Sequence, residues 1–204
     1  EVSNYVDAII YAWYLGEQGG NAIADIIFGD VNPSGKLPIT IPKALSDLPE
    51  YNDYNMDNRT YRFYRNKPMY PFGYGLSYSK FIYSNLKIDK EKIKKGTPIK
   101  LNFDVQNISN ISGEEVIQVY VKYKNAFYRT PNSSLIFFQK INLVAGEKKN
   151  IEVIINEDMM ASIDEKGNKQ IESGEFKLFV GGSSPGQRSN ELGSSVKEII
   201  FNVE

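Results

Sequence analysis

The chain has 204 residues, of which 41% are hydrophobic and 24% charged, and its formal net charge is −1. A complete β/α barrel of about 250 residues does not fit within this length, and the balanced charge supplies no basic surface for nucleic acid or an anionic membrane. The absence of His and Cys excludes histidine-dependent and thiol chemistry, so any reaction here would use carboxylates, hydroxyls, Lys, Arg or Tyr.

The composition changes along the chain. Eleven of the 14 Tyr lie at or before Tyr83, and six of the nine Pro lie at or before Pro71. Beyond this point the sequence is rich in Lys and β-branched residues. A shift of this size predicts a domain boundary near residues 70–85.

The first half has few regular elements. The apolar run Val6–Trp13 predicts a strand buried on both faces. Helical spacing over Asn21–Phe28 predicts a short helix with its first residue as N-cap, which ends at Gly29, and Leu37–Ile41 is a candidate edge strand. A buried strand requires neighbouring strands, and residues 1–75 supply none, so we expect its sheet to belong to sequence outside this chain.

The second half reads as a series of short strands. Apolar residues alternate with polar ones, and turn signals separate the runs. Seven strands are predicted: Phe81–Ile88, Ile99–Val105, Val116–Tyr123, Leu135–Leu143, Ile151–Ile155, Phe176–Val180 and Ile199–Phe201. Their number and spacing indicate an antiparallel β-sandwich of immunoglobulin or fibronectin type III character.

Three groups of residues in the first half are candidate sites. Glu17 and Gln18 precede Gly19 and Gly20 at a predicted helix start, where backbone N–H groups can hold an anion, although a glycine turn for close packing is favoured. Paired carboxylates could serve glycoside hydrolysis or bind calcium, but a solvated loop is favoured for the acidic cluster Asp47, Glu50, Asp53 and Asp57.

Aromatic residues form the third group. They could form a sugar-stacking platform, but aromatic side chains also seal interdomain seams, and the seam is favoured. The group comprises Trp13, Tyr14, Tyr51, Tyr54, Tyr61, Phe63, Tyr64, Tyr70, Phe72 and Tyr74.

Three motifs in this order resemble glycoside hydrolase family 3. Leu15 to Pro38, LGEQGGNAIADIIFGDVNPSGKLP, resembles the end of the second domain of that family. Arg59–Phe63 and Met69–Tyr78 are similar to its R-T-Y-R-F/Y and L-Y-P-F-G-Y-G-L-S-Y segments. Val105–Asn107, Gly113–Tyr120 and Ala145–Glu147 are similar to its fibronectin type III-like domain.

The resemblance implies a retaining β-glycosidase that removes terminal glucose or xylose. Retention requires two carboxyl groups about 5–5.5 Å apart. In the family these are an Asp on a barrel and a Glu upstream of the motif at Gly16–Gly20, and neither has a counterpart here. Glu17 and Gln18 are not the family's catalytic residues. We therefore expect no catalytic, cofactor-binding or metal-binding residue in this chain, no cofactor, and no hydrolysis by the isolated chain.

The implied architecture is mainly β. Residues 1–62 are expected to be the remnant of an α/β sandwich domain, residues 63–78 an aromatic linker and residues 79–204 the fibronectin type III-like β-sandwich. The expected partners are the barrel and α/β sandwich domains of a parent glycosidase, with an oligosaccharide or glycoside bound through that parent. The uncovered remnant is expected to self-associate, whereas nucleic acid and membranes are not expected partners.

The alternative function is a carbohydrate-binding or adhesion module that uses exposed aromatics. A cysteine-free chain is compatible with both the bacterial cytoplasm and secretion.

Overall fold

A computed structural model describes residues 5–125, 130–194 and 196–204. Within these residues the regular structure is mostly strand, as predicted. The strands are β1 (Phe81–Ile88), β2 (Lys92–Ile93), β3 (Ile99–Asn107), β4 (Gly113–Tyr123), β5 (Ser134–Leu143), β6 (Lys148–Ile155), β7 (Ser162–Ile163), β8 (Lys169–Gln170), β9 (Gly174–Gly181) and β10 (Lys197–Val203). All seven predicted strands are confirmed, and β2, β7 and β8 are two-residue additions.

Two sheets form a sandwich. The smaller sheet has the order β1-β3-β6 and the larger has the order β2-β10-β9-β4-β5, while β7 and β8 form a separate small hairpin. Neighbouring strands are antiparallel except β2 and β10. This arrangement confirms the predicted antiparallel sandwich.

The core lies between the two sheets. Every second residue of β3, from Ile99 to Val105, is buried, and Val119 of β4 and Leu178 of β9 face them in the same apolar cluster. Burial therefore alternates along the strand with a period of two residues, as the alternation of apolar and polar residues predicted, because successive side chains of a strand point to opposite faces. Burial of alternate residues in this core is therefore the reason why these strands could be predicted from the sequence.

Residues 5–78, the described part of the first half, contain three short helical elements. Helix α1 spans Gly19–Phe28, a 3-10 helix spans Leu45–Asp47, and α2 spans Thr60–Phe63. Two short helices follow in the second half, α3 (Glu157–Met160) and α4 (Gln187–Glu191). In the part of the chain described above, no helix has the length and apolar character needed to cross a bilayer.

Three predictions in the first half need correction. Residues 6–13 form no strand, and the side chains of Ile9, Tyr11 and Trp13 are about half exposed, because no neighbouring strand is present to pair with this segment. Helix α1 ends at Gly29 as predicted but begins at Gly19, so Asn21 is not its N-cap. The Leu37–Ile41 segment forms no strand: it makes an isolated bridge between Ile41 and Tyr70 and backbone hydrogen bonds between Leu37 and both Tyr74 and Gly73.

The segment from Tyr61 to Gly75 covers the outer face of the larger sheet. Tyr120 belongs to β4 and lies outside the inter-sheet core cluster, yet its exposed fraction is 0%. The ring of Tyr61 meets Tyr120 edge to face at a centroid distance of 5.8 Å. The linker is thus a third layer on the sandwich.

Candidate functional site

Asn32 joins the turn after α1 to the sandwich. Its amide nitrogen donates to Ser79 Oγ at 2.8 Å and to the Ser112 carbonyl at 2.9 Å. Its amide oxygen accepts from Ser77 Oγ at 2.8 Å and from the Tyr78 N–H at 2.9 Å. All four hydrogen bonds that an Asn side chain can readily make are therefore formed, and they link the first sequence motif to Ser77 and Tyr78 of the second and to Ser79 and Ser112 of the sandwich.

A buried ion pair lies beside this Asn. Lys36 Nζ is 3.2 Å from Glu115 Oε2, and the two side chains are only 13% and 5% exposed. Lys36 also donates to the Gly75 carbonyl at 3.1 Å, and Tyr83 donates its hydroxyl to Glu115 Oε1 at 3.0 Å. Glu115 therefore connects the first half of the chain to both sheets.

The Tyr83 hydroxyl is held neutral by its surroundings. Burial raises its pKa well above the usual value, and the negative charge of Glu115 and the hydrogen bond to it add to the effect. Tyr83 is a donor at neutral pH, so Glu115 has a partner for each of its two carboxylate oxygens.

A more exposed contact extends the junction outward. Ser34 Oγ donates to Glu114 Oε2 at 3.0 Å, and Lys140 Nζ is 2.5 Å from the same oxygen. The hydrogen bond from Lys140, followed by that from Ser34, lowers the pKa of Glu114. Asn32, Ser34 and Lys36 thus alternate along one extended segment and all contact the sandwich. We call these three residues and their partners the polar junction.

Gln118 fastens the linker to the outer face of β4. Its amide nitrogen donates to the carbonyls of Gly73 and Gly182 at 3.0 and 2.9 Å, and its oxygen accepts from the hydroxyl of Tyr120. Burial raises the pKa of that tyrosine far above its usual value. Both the nitrogen and the oxygen of the buried amide are therefore bonded, and they hold two backbone positions and one ring together.

Tyr61, which precedes the linker, and several aromatic residues of the linker pack as a seam. Tyr61 stacks on Phe72 with ring centroids 4.4 Å apart and accepts a hydrogen bond from the Leu135 N–H at 3.0 Å. Tyr70 and Tyr74 stack at 5.9 Å. The seam interpretation holds for these side chains, whereas Trp13, Tyr14, Tyr51 and Tyr54 of the same predicted group are exposed.

The acidic residues do not converge. Asp47 accepts from the Tyr64 hydroxyl at 3.1 Å, and Asp53 accepts from the Asn55 N–H at 2.9 Å. Asp57 pairs with Arg65 at 3.2 Å. Among the described residues no group of three or more acidic side chains could hold a metal ion, and the solvated-loop interpretation of this cluster stays a prediction.

Gly19, the first residue of α1, serves close packing, whereas a Cβ on Gly20 would meet no atom within 4 Å. A Cβ on Gly19 would collide with the side chain of Leu15. Gln18 occupies the N-cap position but makes no side-chain cap, and its amide oxygen instead accepts from Asn21 at 2.6 Å. The favoured turn interpretation therefore agrees with the structure.

A cleft of about 710 Å³ separates the linker from α4. Two of its lining cations share the carboxylate of Glu191: Arg188 donates to the Met69 carbonyl at 3.0 Å and binds Glu191 at 3.2 Å, and Lys67 binds Glu191 at 2.7 Å. These partners, Lys67 first, lower the pKa of Glu191. The cleft wall is accordingly a second seam between linker and sandwich.

Residues of the polar junction were not singled out by the sequence analysis as site residues. Asn32 and Lys36 lie within the first motif, and Glu115 and Gln118 within the third. Neither motif indicates by itself which residues it contacts, because the contacting residues are about 80 positions apart in the chain. The one signal in the sequence that could have indicated them is the recurrence of polar residues within motifs whose other residues serve turns and packing.

Comparison with known proteins identifies both parts of the chain. Residues 1–78 match the glycosyl hydrolase family 3 C-terminal domain, and residues 115–184 match the fibronectin type III-like domain. A putative β-xylosidase of Formosa agariphila is 38% identical over 187 residues, which are 90% of this chain and 24% of that protein. Thermostable β-glucosidase B of Acetivibrio thermocellus is 36% identical, with 88% and 26% covered.

Solved structures give the same result. The β-glucosidase of Listeria innocua in complex with glucose superposes with a TM-score of 0.83 at 28% identity, covering 99% of this chain and 28% of that one. A β-glucosidase from Erythrobacter marinus gives a TM-score of 0.77 at 33% identity, with 93% and 24% covered. The chain thus spans about a quarter of the length of the relatives that it matches.

Proposed function

Because the chain belongs to glycoside hydrolase family 3, we propose that it is the C-terminal, non-catalytic part of a retaining β-glycosidase acting on terminal β-linked glucose or xylose. Its role is to brace the domains that carry the chemistry. The polar junction is the observation that carries this proposal, because it fixes the segment after α1 to the sandwich through the four hydrogen bonds of Asn32 and the ion pair of Lys36 with the buried Glu115.

The proposal assigns no catalytic role to any residue of this chain. Glu115 is the one charged residue among the described positions that is buried, and Tyr83 and Lys36 occupy its two oxygens. A nucleophile must instead face the sugar, opposite a second carboxyl group about 5–5.5 Å away. We propose that both groups come from residues outside this chain.

We propose the domain division given above, with residues 1–62 as the α/β remnant, 63–78 as the linker and 79–204 as the sandwich. The strands of the two large sheets all begin after Tyr78, which supports the last boundary. The partners are the barrel and the rest of the α/β sandwich of the parent protein.

The uncovered α/β remnant is proposed to self-associate when the chain is alone. Residues 5–31 expose many large apolar side chains, among them Ile27 and Phe28, which are 60% and 83% exposed, and contiguous apolar surface drives association. In sedimentation velocity we expect concentration-dependent oligomers that Phe28→Asp shifts toward monomer. Phe138→Asp, at an exposed site on β5, is the matched control and should have no such effect.

The proposal is tested by complementation. The purified chain alone should not hydrolyse aryl β-glucosides or β-xylosides. Added to the parent enzyme from which these residues have been removed, it should restore hydrolysis, and a chain carrying Lys36→Met should restore less. Turnover by the chain alone, or full activity of the shortened parent without it, would contradict the proposed role.

A further inference from the structure

Two tyrosines project from one loop of the first half. Tyr51 and Tyr54 are 99% and 92% exposed, although other aromatic residues of the same stretch are packed in the seam. Tyr51 is the second residue of the turn Glu50–Asp53, which is closed by a hydrogen bond of 3.0 Å from the Asp53 N–H to the Glu50 carbonyl. Two exposed aromatic rings three positions apart form a feature that packing of this chain does not use.

The backbone beneath these rings is fixed. The guanidinium of Arg59 donates to the carbonyls of Glu50 at 3.1 Å, of Asn55 at 3.2 Å and of Asp53. Asn58 donates to the Asp47 carbonyl and accepts from the Arg65 N–H at 3.0 Å. One cation therefore clamps three carbonyls of the loop, which reduces the entropy that the loop would lose on binding a ligand.

The chemistry of the loop selects a ligand class. Tyrosine provides a large, rigid contact surface at a low cost in side-chain entropy, and a flat aromatic ring fits the C–H face of a pyranose. Asn52 and Asn55 can exchange hydrogen bonds with hydroxyl groups. Glu50 and Asp53, which are adjacent to the two tyrosines in sequence, carry carboxylates that repel anionic polymers, so the matching ligand is neutral.

We propose that the Tyr51–Tyr54 loop is an accessory site for a neutral β-linked oligosaccharide, outside the polar junction and the aromatic seam. This inference rests on the proposed function, since it supplies a site that holds the polymeric substrate of the parent enzyme near its catalytic domains.

Calorimetric titration of the 204-residue chain tests the site. Cellohexaose, xylohexaose and an oligogalacturonide of similar length are the probes. We expect saturable binding of at least one neutral oligosaccharide and none of the acidic one. Tyr51→Ala and Tyr54→Ala should each weaken binding about tenfold. Tyr14→Ala is the matched control, because Tyr14 is equally exposed but lies outside the loop, and it should bind as the unmodified chain does.

Other results would overturn the inference. These are no saturable binding at ligand concentrations of about 10 mM, or binding that both loop substitutions leave unchanged. A further contradiction would be protection of Tyr51 and Tyr54 from nitration in the parent enzyme but not in the isolated chain, since a neighbouring domain would then cover the loop. Absence of binding in a chain that still restores hydrolysis would contradict the accessory site alone and leave the bracing role intact.

Discussion

The side chain of Gln118 fills the space that a side chain on Gly73 would need. Its amide donates to the Gly73 carbonyl at 3.0 Å, and a Cβ built on that glycine would collide with the amide group. Gly73 also has φ of 77°, a conformation that side chains disfavour. The turn of the linker and the polar group on β4 therefore exclude any larger residue at this position.

Gly73→Ala should destabilise the chain by about 2–4 kcal/mol, since it adds a strained backbone conformation to the loss of buried hydrogen bonds. Gly146→Ala is the matched control, because Gly146 has φ of 75° but no atom within 4 Å of an added Cβ. It should cost only about 1 kcal/mol. Urea denaturation measures both, and equal costs would contradict the role of Gln118.

Lys36→Met should destabilise the chain by about 3–5 kcal/mol, because it leaves Glu115 buried without its cation. Adding Glu115→Gln should recover part of this loss, so a double-mutant cycle should show strong coupling. Lys177→Met, which breaks an exposed pair with Glu198, should cost less than about 1 kcal/mol. Additive effects at Lys36 and Glu115 would show that the pair contributes nothing.

Asp104 should titrate with a pKa of about 2, because hydrogen bonds from Asn150, then Asn85, then Lys148 stabilise its carboxylate. A pKa lowered in the folded state gives stability that is present above about pH 4 and is lost as the pH falls toward 2.

NMR titration of the carboxyl carbon checks this value. Asn150→Ala should raise the Asp104 pKa, whereas Asn168→Ala, which removes a bond to Asp164 instead, should not change it. In acid unfolding, Asp104→Asn should lose less stability than the unmodified chain between pH 4 and 2. Identical acid profiles would contradict the prediction.

Tyr83 should limit stability in alkali. Its pKa is raised in the folded state, so its contribution is complete below about pH 10 and is lost as the pH rises through the folded value. Tyr83→Phe should cost about 1 kcal/mol at pH 7 through the lost hydrogen bond to Glu115, but its stability should decline less above pH 10. Tyr54→Phe, at an exposed site, should leave the alkaline profile unchanged, and an unchanged profile for Tyr83→Phe would refute the assignment.

The sandwich could be predicted from sequence because its signals are local. The alternation over Ile99–Val105 reports directly which face of β3 is buried. The run Val6–Trp13 failed as a strand for the opposite reason, since a continuous apolar run needs partner strands that this chain does not supply. Helix α1 was found from its spacing and from Gly29, which has φ of 86° at the helix end.

The polar junction could not be predicted, because its pairs join distant positions and depend on exact geometry. Lys36 and Glu115 are ordinary charged residues in sequence, and only the packed structure shows that both are buried and paired. The two exposed tyrosines were likewise indistinguishable from the seam tyrosines, since burial of an aromatic ring depends on what the fold brings over it.

Because Tyr120 and Gln118 face outward from the larger sheet yet are covered by the linker, the sandwich cannot be exchanged between proteins at residue 79. A recombinant joined there would present these two side chains to a foreign linker without Gly73 or Tyr61 in position. The smallest portion that can be transplanted with its contacts intact begins before Asn32 and ends with β10. The segment that must be kept together in a domain exchange is therefore longer than the β-sandwich itself.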